Sequence, residues 1–400
     1  MAATVQRVEM STGRTWTVLG PDHLSVGPVE EFLEFLRVGR DASPHTVRSY
    51  ASALCGLWNY LDAAGLDWEG LSLPELGGYL NWLRTGGPPG VRRLPVGGDD
   101  EVTARRAEST VGTRVAAVGS FYRYQADVHG VAVADRLYRA ARRYRSGRYL
   151  PALVHTRRGA QRELAVRVRR GAGRPTPLLT PAEVAAILDD CAYFDTAAGT
   201  WVGSLRDRLI FATLAESGLR LGELLGLRHC DWHTGQGGTP WLEVVPRDDH
   251  PHGARVKYGR FRRVYVSDDL ERLYSEYTWQ LVDSGAADVV DLEGHWTFVN
   301  LARGEHFSPL RPETVYAKVR AIKAHLGPAC PADWTPHWFR HTHASALLLE
   351  GANPHVVMRR LGHADIQTTI NLYGWVTEDA ELRALAGWRA FCPSEVVGGE

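Results

Sequence analysis

The chain has 400 residues, enough for two or three domains with buried cores. Its 46 basic and 46 acidic side chains cancel, so the total charge points to no particular partner. The polar first twenty residues, the lack of a membrane-length apolar run and five scattered cysteines without CxxC spacing predict a cytosolic protein. They argue against a secreted protein, a membrane protein, a disulfide framework and a zinc ribbon.

The first part of the chain predicts a helical unit. Residues 1–25 form an N-terminal extension that is strand-like only at Trp16–Leu19. Apolar residues at helical spacing then fill residues 26–140. We predict helices from about Val29, from Pro44 to about Ala64, over Pro74–Leu83, and from Ser109 or Thr110 to about Ala126, with a loop at 86–100.

Arginines of this unit and of the segment after it could contact phosphate. Three of them lie on predicted exposed helix faces: Arg48, Arg114 and Arg123. Residues 139–174 carry a dozen arginines, among them Arg142, Arg143 and Arg145, and a single acid, Glu163. Such a density attracts a polyanion, but residues 141–177 are equally compatible with a solvated linker.

A second domain is predicted over residues 178–378. It begins at Thr180-Pro181-Ala182-Glu183, which has the form of a capping box with proline at the first helical position. Helices are expected at 181–190, 204–217, 221–227, 268–284 and 312–326, and the chain is helical almost throughout after Thr335. Strands are expected at Trp241–Val245, Ala254–Lys257, Phe261–Val266 and Trp296–Asn300, with a hairpin turn at Tyr258-Gly259.

Two places in this domain carry candidate cations. In SGLRLGEL at 217–224, Arg220 should begin a helix with Glu223 one turn later, an arrangement equally typical of a surface ion pair. Lys257 is one of only three lysines in the chain, and unlike an arginine a lysine can lend and recover a proton. It precedes a hairpin turn followed by Arg260 and Arg262, which could enter a DNA groove or simply form a solvated edge.

Two further places combine histidine, arginine and tyrosine. HWFRH at 337–341 contains His337 and Arg340, and LGH at 361–363 ends in His363, ten residues before Tyr373. A zinc site is conceivable because His337 and His341 are four residues apart, but no acid accompanies them. Tyr373 shares a predicted helix face with apolar residues, as an ordinary core tyrosine would.

Together these four places resemble the tyrosine recombinase (phage integrase-type) family. That family shows a TGLRxxEL box, a lysine on a β-hairpin, HxxRH, LGH and a later tyrosine; here the matches are SGLRLGEL, Lys257, HWFRH, LGH and Tyr373, in that order. Serine replaces threonine at position 217, and Trp338 stands where an aliphatic residue is usual. The order and spacing agree through about residues 178–378, half of the chain.

The resemblance implies a mainly helical fold. Residues 26–140 would be an all-helical, SAM-like core-binding domain and residues 178–378 a mixed α/β, mostly helical catalytic domain with a small antiparallel sheet. The two would form a C-shaped clamp on duplex DNA, joined by the arginine-rich linker. The tail at 379–400 would pack on a neighbouring protomer or fold back on its own domain.

The resemblance also implies a site-specific recombinase that needs neither metal, cofactor nor ATP. Its catalytic residues would be Arg220, Lys257, His337, Arg340, His363 and the nucleophile Tyr373, with Glu223 orienting Arg220 or a histidine. The partners would be double-stranded recombination sites, bound by a homo-tetramer that is a monomer or weak oligomer when free. An accessory directionality protein or a partner recombinase is possible, and we expect association with a bacterial-type nucleoid.

Three alternatives accompany this hypothesis. A type IB topoisomerase would use the same chemistry to relax one duplex. A catalytically silent DNA-binding regulator could keep the same fold, although a binding protein needs no nucleophile. A zinc hydrolase would require ligands that the sequence does not supply in one place.

Overall fold

The chain divides into two units, Met1–Arg174 and Pro175–Glu400. The computed structural model describes residues 2–10, 13–86, 107–140, 162–166, 168, 176–235, 237–256, 259–302 and 304–363. The prediction of a mainly helical chain with small antiparallel sheets is confirmed. No helix in these ranges is long and apolar enough to cross a membrane.

In its described residues, the first unit combines five α-helices with two antiparallel strand pairs. Its elements are β1 (Thr4–Met10), β2 (Gly13–Leu19), α1 (Gly27–Glu34) with a π-helical turn at Phe35–Gly39, α2 (Pro44–Ala64), α3 (Leu73–Thr85), α4 (Glu108–His129), α5 (Val133–Leu137), β3 (Tyr138–Ala140) and β4 (Arg162–Leu164). The predicted helices are all present: α2 has the predicted bounds, and the others extend one to three residues beyond theirs. Ser43 caps α2 as predicted, because its hydroxyl accepts the Thr46 N–H at 3.2 Å.

The strand pair β1–β2, in the region predicted as an extension, packs on the core of this unit. The side-chain amide of Asn59 on α2 both accepts from the Ala3 N–H (2.6 Å) and donates to the Ala3 carbonyl (3.0 Å). Val18 of β2 is buried in the same core as Phe32. The strand pair β3–β4 also departs from a purely helical unit, and it draws part of the predicted linker against α5.

The second unit packs helices around a small sheet. Its elements are α6 (Pro181–Cys191), β5 (Ala192–Asp195), β6 (Thr200–Gly203), α7 (Leu205–Ser217), α8 (Leu221–Leu225), β7 (Trp232–His233), β8 (Trp241–Val244), β9 (Arg262–Tyr265), α9 (Asp268–Asp283), α10 (Pro312–Leu326), α11 (Pro336–Leu349) and α12 (Pro354–Leu361). Strands β7, β8 and β9 form an antiparallel sheet in that order. The predicted capping box opens α6, since the Thr180 N–H donates to Glu183 Oε2 at 2.7 Å.

Two strand predictions need correction, and one hairpin was missed. Ala254–Val256 lies outside any strand, and Trp296–Asn300 contributes only the isolated bridges at Trp296 and Val299. The β5–β6 hairpin was not predicted, because Tyr193, Phe194, Trp201 and Val202 show no alternation of buried and exposed residues. The predicted helix around Tyr373 and the tail at 379–400 lie outside the described residues.

The β5–β6 hairpin supplies a matched pair of glycines for a stability test. Gly203 has φ +109°, and an added Cβ would lie 2.5 Å from the Cys191 carbonyl oxygen and 2.8 Å from Ala192 Cα. Gly199 has φ +66° with nothing within 4 Å of an added Cβ. Gly203→Ala should lower the free energy of unfolding by roughly 3 kcal/mol, since backbone atoms cannot move aside. Gly199→Ala should cost about 1 kcal/mol, the conformational term alone. Urea unfolding measures both values, and equal losses would contradict this account.

Candidate active site

Arg220 stands between two helices and is fixed by the acid three residues later. Helix α7 ends at Gly218, whose φ of +65° turns the chain, and Arg220 caps α8. The Arg220 backbone N–H donates to Glu223 Oε2 at 2.9 Å, and its Nη1 donates to Oε1 at 2.8 Å. Glu223 is only 1% exposed, so this is not the surface ion pair that the spacing also allowed.

The same carboxylate binds a second arginine, Arg262 of β9. Arg262 Nη2 donates to Glu223 Oε2 at 2.7 Å, and Arg262 Nε donates to the Arg360 carbonyl at 2.8 Å. The prediction that Arg262 contacts DNA does not fit this geometry, because its guanidinium is buried and used inside the domain. Its place in an RFRR run gave no sign of this role, since only strand alternation decides which arginine faces inward.

Two arginines on one carboxylate leave the cluster with a net positive charge. Burial raises the pKa of Glu223, but the charges and hydrogen bonds of Arg262 and Arg220 lower it by more. The net result is a pKa below the ordinary 4.5. Glu223 is therefore ionised at neutral pH. The single negative charge of Glu223 is shared between Arg262 and Arg220, so it does not cancel the positive charge of Arg220.

Arg340 donates hydrogen bonds to two main-chain oxygens. It lies on α11 and is 1% exposed. Its Nη1 donates to the Gly218 carbonyl at 2.7 Å, and its Nη2 donates to the Leu361 carbonyl at 2.6 Å. Arg340 thus bridges the ends of α7 and α12, next to Arg220 on one side and the LGH sequence on the other.

His363 completes this group at the end of α12. Gly362 adopts φ +64°, and a Cβ there would lie 2.8 Å from Arg262 Nη1, so a larger residue would collide with the guanidinium. His363 itself is buried. Burial first, and then the nearby positive charges of Arg340 and Arg220, lower its pKa to about 4. It is therefore a neutral imidazole at physiological pH, able to donate one hydrogen bond and accept another.

His337 occupies a different environment. It is exposed in the first turn of α11, one turn before Arg340, and its ring lies 4.4 Å from that of His341, measured between centroids. Burial and the charge of Arg340 lower the pKa of His341. Among the described residues, no group of three or more His, Cys, Asp or Glu side chains is arranged to hold a metal ion.

The structure thus brings four predicted residues together: Arg220, Glu223, Arg340 and His363. Lys257 and Tyr373 lie outside the described residues. Arg260 is near the group, because its Nη1 donates to the His363 carbonyl at 3.3 Å.

Two residues that the sequence analysis gave no role, His343 and Arg360, also bind this part of the fold. Arg360 Nε donates to His343 Nε2 at 2.9 Å. The sequence offered one indication of a role for His343: it is three residues after Arg340, on the same face of α11.

Two of the three arginines predicted for the first unit share one cleft. Arg48 and Arg114 line a cavity of about 260 Å³ together with hydroxyl-bearing residues of α2 and α4. The guanidinium carbon of Arg48 lies 4.7 Å from the centre of the Trp16 ring. Arg123 is elsewhere on α4, 5.2 Å from the centre of the Tyr138 ring. Arg142, Arg143 and Arg145 lie outside the described residues.

Comparison with known proteins identifies the family. The model of the phage integrase family matches residues 177–379, and the model of its N-terminal SAM-like domain matches residues 29–127. The chain belongs to the phage integrase family. The resemblance drawn from the four motifs is thereby confirmed.

Curated integrase relatives match along most of the chain. Transposase A from transposon Tn554 of Staphylococcus aureus is 29% identical over 374 residues, which cover 92% of this chain and 93% of the relative. The tyrosine recombinase XerC of Rhodospirillum centenum is 28% identical over 347 residues, covering 85% of this chain and 80% of its own.

Solved structures share the integrase fold. The XerH site-specific recombinase in a post-cleavage complex with palindromic difH substrate has a TM-score of 0.56 at 16% identity, covering 89% of this chain and 84% of XerH. The Tn1549 transposon integrase in complex with a circular intermediate DNA also has a TM-score of 0.56, at 15% identity, covering 86% and 94%. At these identities the likeness concerns the fold.

The shared carboxylate gives a direct test with a neighbouring control. Arg262→Met should lower the free energy of unfolding by roughly 3–5 kcal/mol, because buried Glu223 loses one of its two cations. Arg263→Met should cost less than about 1 kcal/mol, since that side chain is 57% exposed. Both values come from urea unfolding. Adding Glu223→Gln to Arg262→Met should recover part of the loss, and equal losses for the two arginines would contradict the internal role of Arg262.

Proposed function

We propose that this chain is a site-specific DNA recombinase that cuts and rejoins strands through a 3′-phosphotyrosine at Tyr373. The observation that carries the proposal is the group formed by Arg220, Arg340 and neutral His363. Two fixed cations and a neutral hydrogen-bond donor in one place suit a phosphodiester better than any other common biological electrophile.

The cations address the main obstacle to this reaction. A phosphodiester repels nucleophiles with its negative charge, and more charge accumulates on its non-bridging oxygens in the transition state. Arg220 and Arg340 bind these oxygens, and His363 donates a further hydrogen bond. Glu223 and the carbonyls of Gly218 and Leu361 already hold the two guanidinium groups, so little reorganisation accompanies the reaction.

The covalent steps use the remaining predicted residues. The Tyr373 hydroxyl oxygen attacks phosphorus, the tyrosine O–P bond forms, and the P–O5′ bond breaks. His337 accepts the tyrosine proton, and Lys257 donates a proton to the departing 5′ oxygen. A 5′-hydroxyl of another duplex then attacks the phosphotyrosine and reverses these steps, so the bond energy is conserved and no ATP is consumed. Neither a metal nor another cofactor takes part.

Recombination between duplexes is favoured over the other uses of this chemistry. The relatives that match most of the chain are named as a transposase and a tyrosine recombinase, which supports strand exchange over relaxation of one duplex or silent DNA binding. Exchange of both strands of two duplexes requires four active sites. We therefore propose a homo-tetramer on double-stranded recombination sites, a monomer or weak oligomer in free solution, and assistance by an accessory directionality protein or partner recombinase.

Covalent trapping tests the nucleophile. The unaltered protein is incubated with fragmented DNA from its native genome and denatured with detergent, and the DNA that remains attached to protein is sequenced. We expect a specific duplex to be retained through a bond to Tyr373, identified by peptide mass. Tyr373→Phe should bind that duplex with unchanged affinity and retain none of it. Specific binding by the unaltered protein without any covalent product would sink the proposal.

The cleft of the first unit should contribute to DNA affinity. Arg48→Ala and Arg114→Ala should each weaken binding to the trapped duplex and reduce the slope of log K against log salt by about 0.9, as expected for one lost phosphate contact. Arg123, which was also predicted as a possible DNA contact, lies on the same helix as Arg114, but its guanidinium packs on the Tyr138 ring; Arg123→Ala should therefore leave the slope unchanged. Binding measured between low and physiological salt decides the matter: equal slopes for all variants would remove this cleft from the DNA interface.

A further inference from the structure

Arg360 ties together four elements beneath the active-site group. It lies in the last turn of α12, and its Nε donates to His343 Nε2 on α11 at 2.9 Å. Its Nη2 donates to the carbonyls of Glu216 on α7 (3.0 Å) and Tyr265 on β9 (2.9 Å). One guanidinium therefore joins α7, α11, α12 and β9, and it does so through acceptors that are all uncharged.

His343 must be neutral, with its proton on Nδ1, to take part in this contact. An arginine N–H can only donate, so His343 Nε2 is the acceptor. The opposite ring nitrogen, Nδ1, lies 3.0 Å from the Ala215 carbonyl, which can only accept. Burial first, and then the charge of Arg360, lower the pKa of His343 to about 4, which keeps the ring neutral at physiological pH. Arg360 and His343 therefore form a chain of two hydrogen bonds that ends at the Ala215 carbonyl and links α12 to the end of α7. We call this chain the relay.

The relay spans the same two segments that hold Arg340. Arg340 donates to the carbonyls of Gly218 and Leu361. Gly218 is two residues after Glu216, which accepts from Arg360, and Leu361 directly follows Arg360. The packing is close, since a Cβ on Gly218 would lie 2.7 Å from His343 Cδ2. A change in the length of the relay therefore changes the distance between the two carbonyls that fix Arg340.

We propose that Arg360 and His343 are positioning residues that set the separation of the Gly218 and Leu361 carbonyls and thereby aim Arg340 at the scissile phosphate. This inference rests on the proposed function. Neither residue touches DNA in this scheme. Their main effect on the reaction passes through the guanidinium of Arg340.

The first test compares Arg360→Met with Arg359→Met, which removes an equal charge from the exposed neighbour on the same helix. The probe is the duplex that the unaltered protein retains covalently. Arg360→Met should form the covalent adduct roughly 10- to 100-fold more slowly in a single turnover, the effect of misplacing one group by a fraction of an ångström to an ångström. Its dissociation constant for the duplex should stay within about twofold, because only transition-state stabilisation is lost. Arg359→Met should match the unaltered protein in both quantities.

A neutral substrate distinguishes a misplaced Arg340 guanidinium from general damage to the fold. Replacing one non-bridging oxygen of the scissile phosphate by methyl removes the charge that Arg340 is there to stabilise. On this methylphosphonate duplex the deficit of Arg360→Met should shrink to about threefold or less. A deficit of the same size on both substrates would overturn the inference, as would the absence of any deficit on the natural phosphate. If the unaltered protein forms no adduct at all, the proposed function fails and the inference fails with it.

His343 offers a conservative rescue. The amide oxygen of His343→Gln can accept from Arg360 in place of Nε2, whereas His343→Leu fills the space without an acceptor. Adduct formation should fall by about threefold or less for Gln and by roughly tenfold or more for Leu. Equal rates for the two variants would show that His343 acts by packing alone and would overturn its part in the relay.

Discussion

The carboxylate of Glu223 is the constraint on which the active-site group depends. A buried negative charge is costly unless it is paired, and this one is paired twice, with Arg220 and Arg262. The second pairing is what makes the first useful. With Arg220 alone, the acid would neutralise the cation that the reaction needs; with Arg262 added, the carboxylate orients Arg220 and leaves net positive charge beside His363. Arg262 also donates to the Arg360 carbonyl, and this second hydrogen bond fixes the distance from the sheet to α12.

Positive charge concentrated in one buried place has a second effect, on the histidines. Burial lowers the pKa of both histidines, and the nearby arginines lower it further, to about 4: Arg340 and Arg220 act on His363, and Arg360 acts on His343. Each is consequently a polar but uncharged group, and at His343 the two ring contacts also fix the tautomer. Histidine suits these positions because it can donate and accept at once without adding to the repulsion between arginines.

The sequence predicted the parts of this site that are local and left unpredicted those that come from tertiary pairing. The Arg220–Glu223 contact follows from three-residue spacing at a helix start, and the capping box at Thr180 placed the start of α6 to the residue. The helix predicted at 204–217 agrees with α7 to within one residue. Arg262 was assigned to the wrong environment, because nothing in the RFRR run distinguishes it from Arg263, which faces the other side of β9. The role of His343 depends on Arg360, seventeen residues later, and no periodicity links the two. The β5–β6 hairpin escaped notice because both of its faces carry aromatic residues.

The hold on Arg340 has an evolutionary consequence. Arg340 donates to the main-chain carbonyls of Gly218 and Leu361, and no point mutation can delete a carbonyl. The contact therefore tolerates changes of side chain at the two helix ends, as long as the helix ends stay in place. The glycines at 218 and 362 are restrained by left-handed backbone and by close neighbours. Such a socket can persist through the divergence that separates this chain from relatives at 28–29% identity.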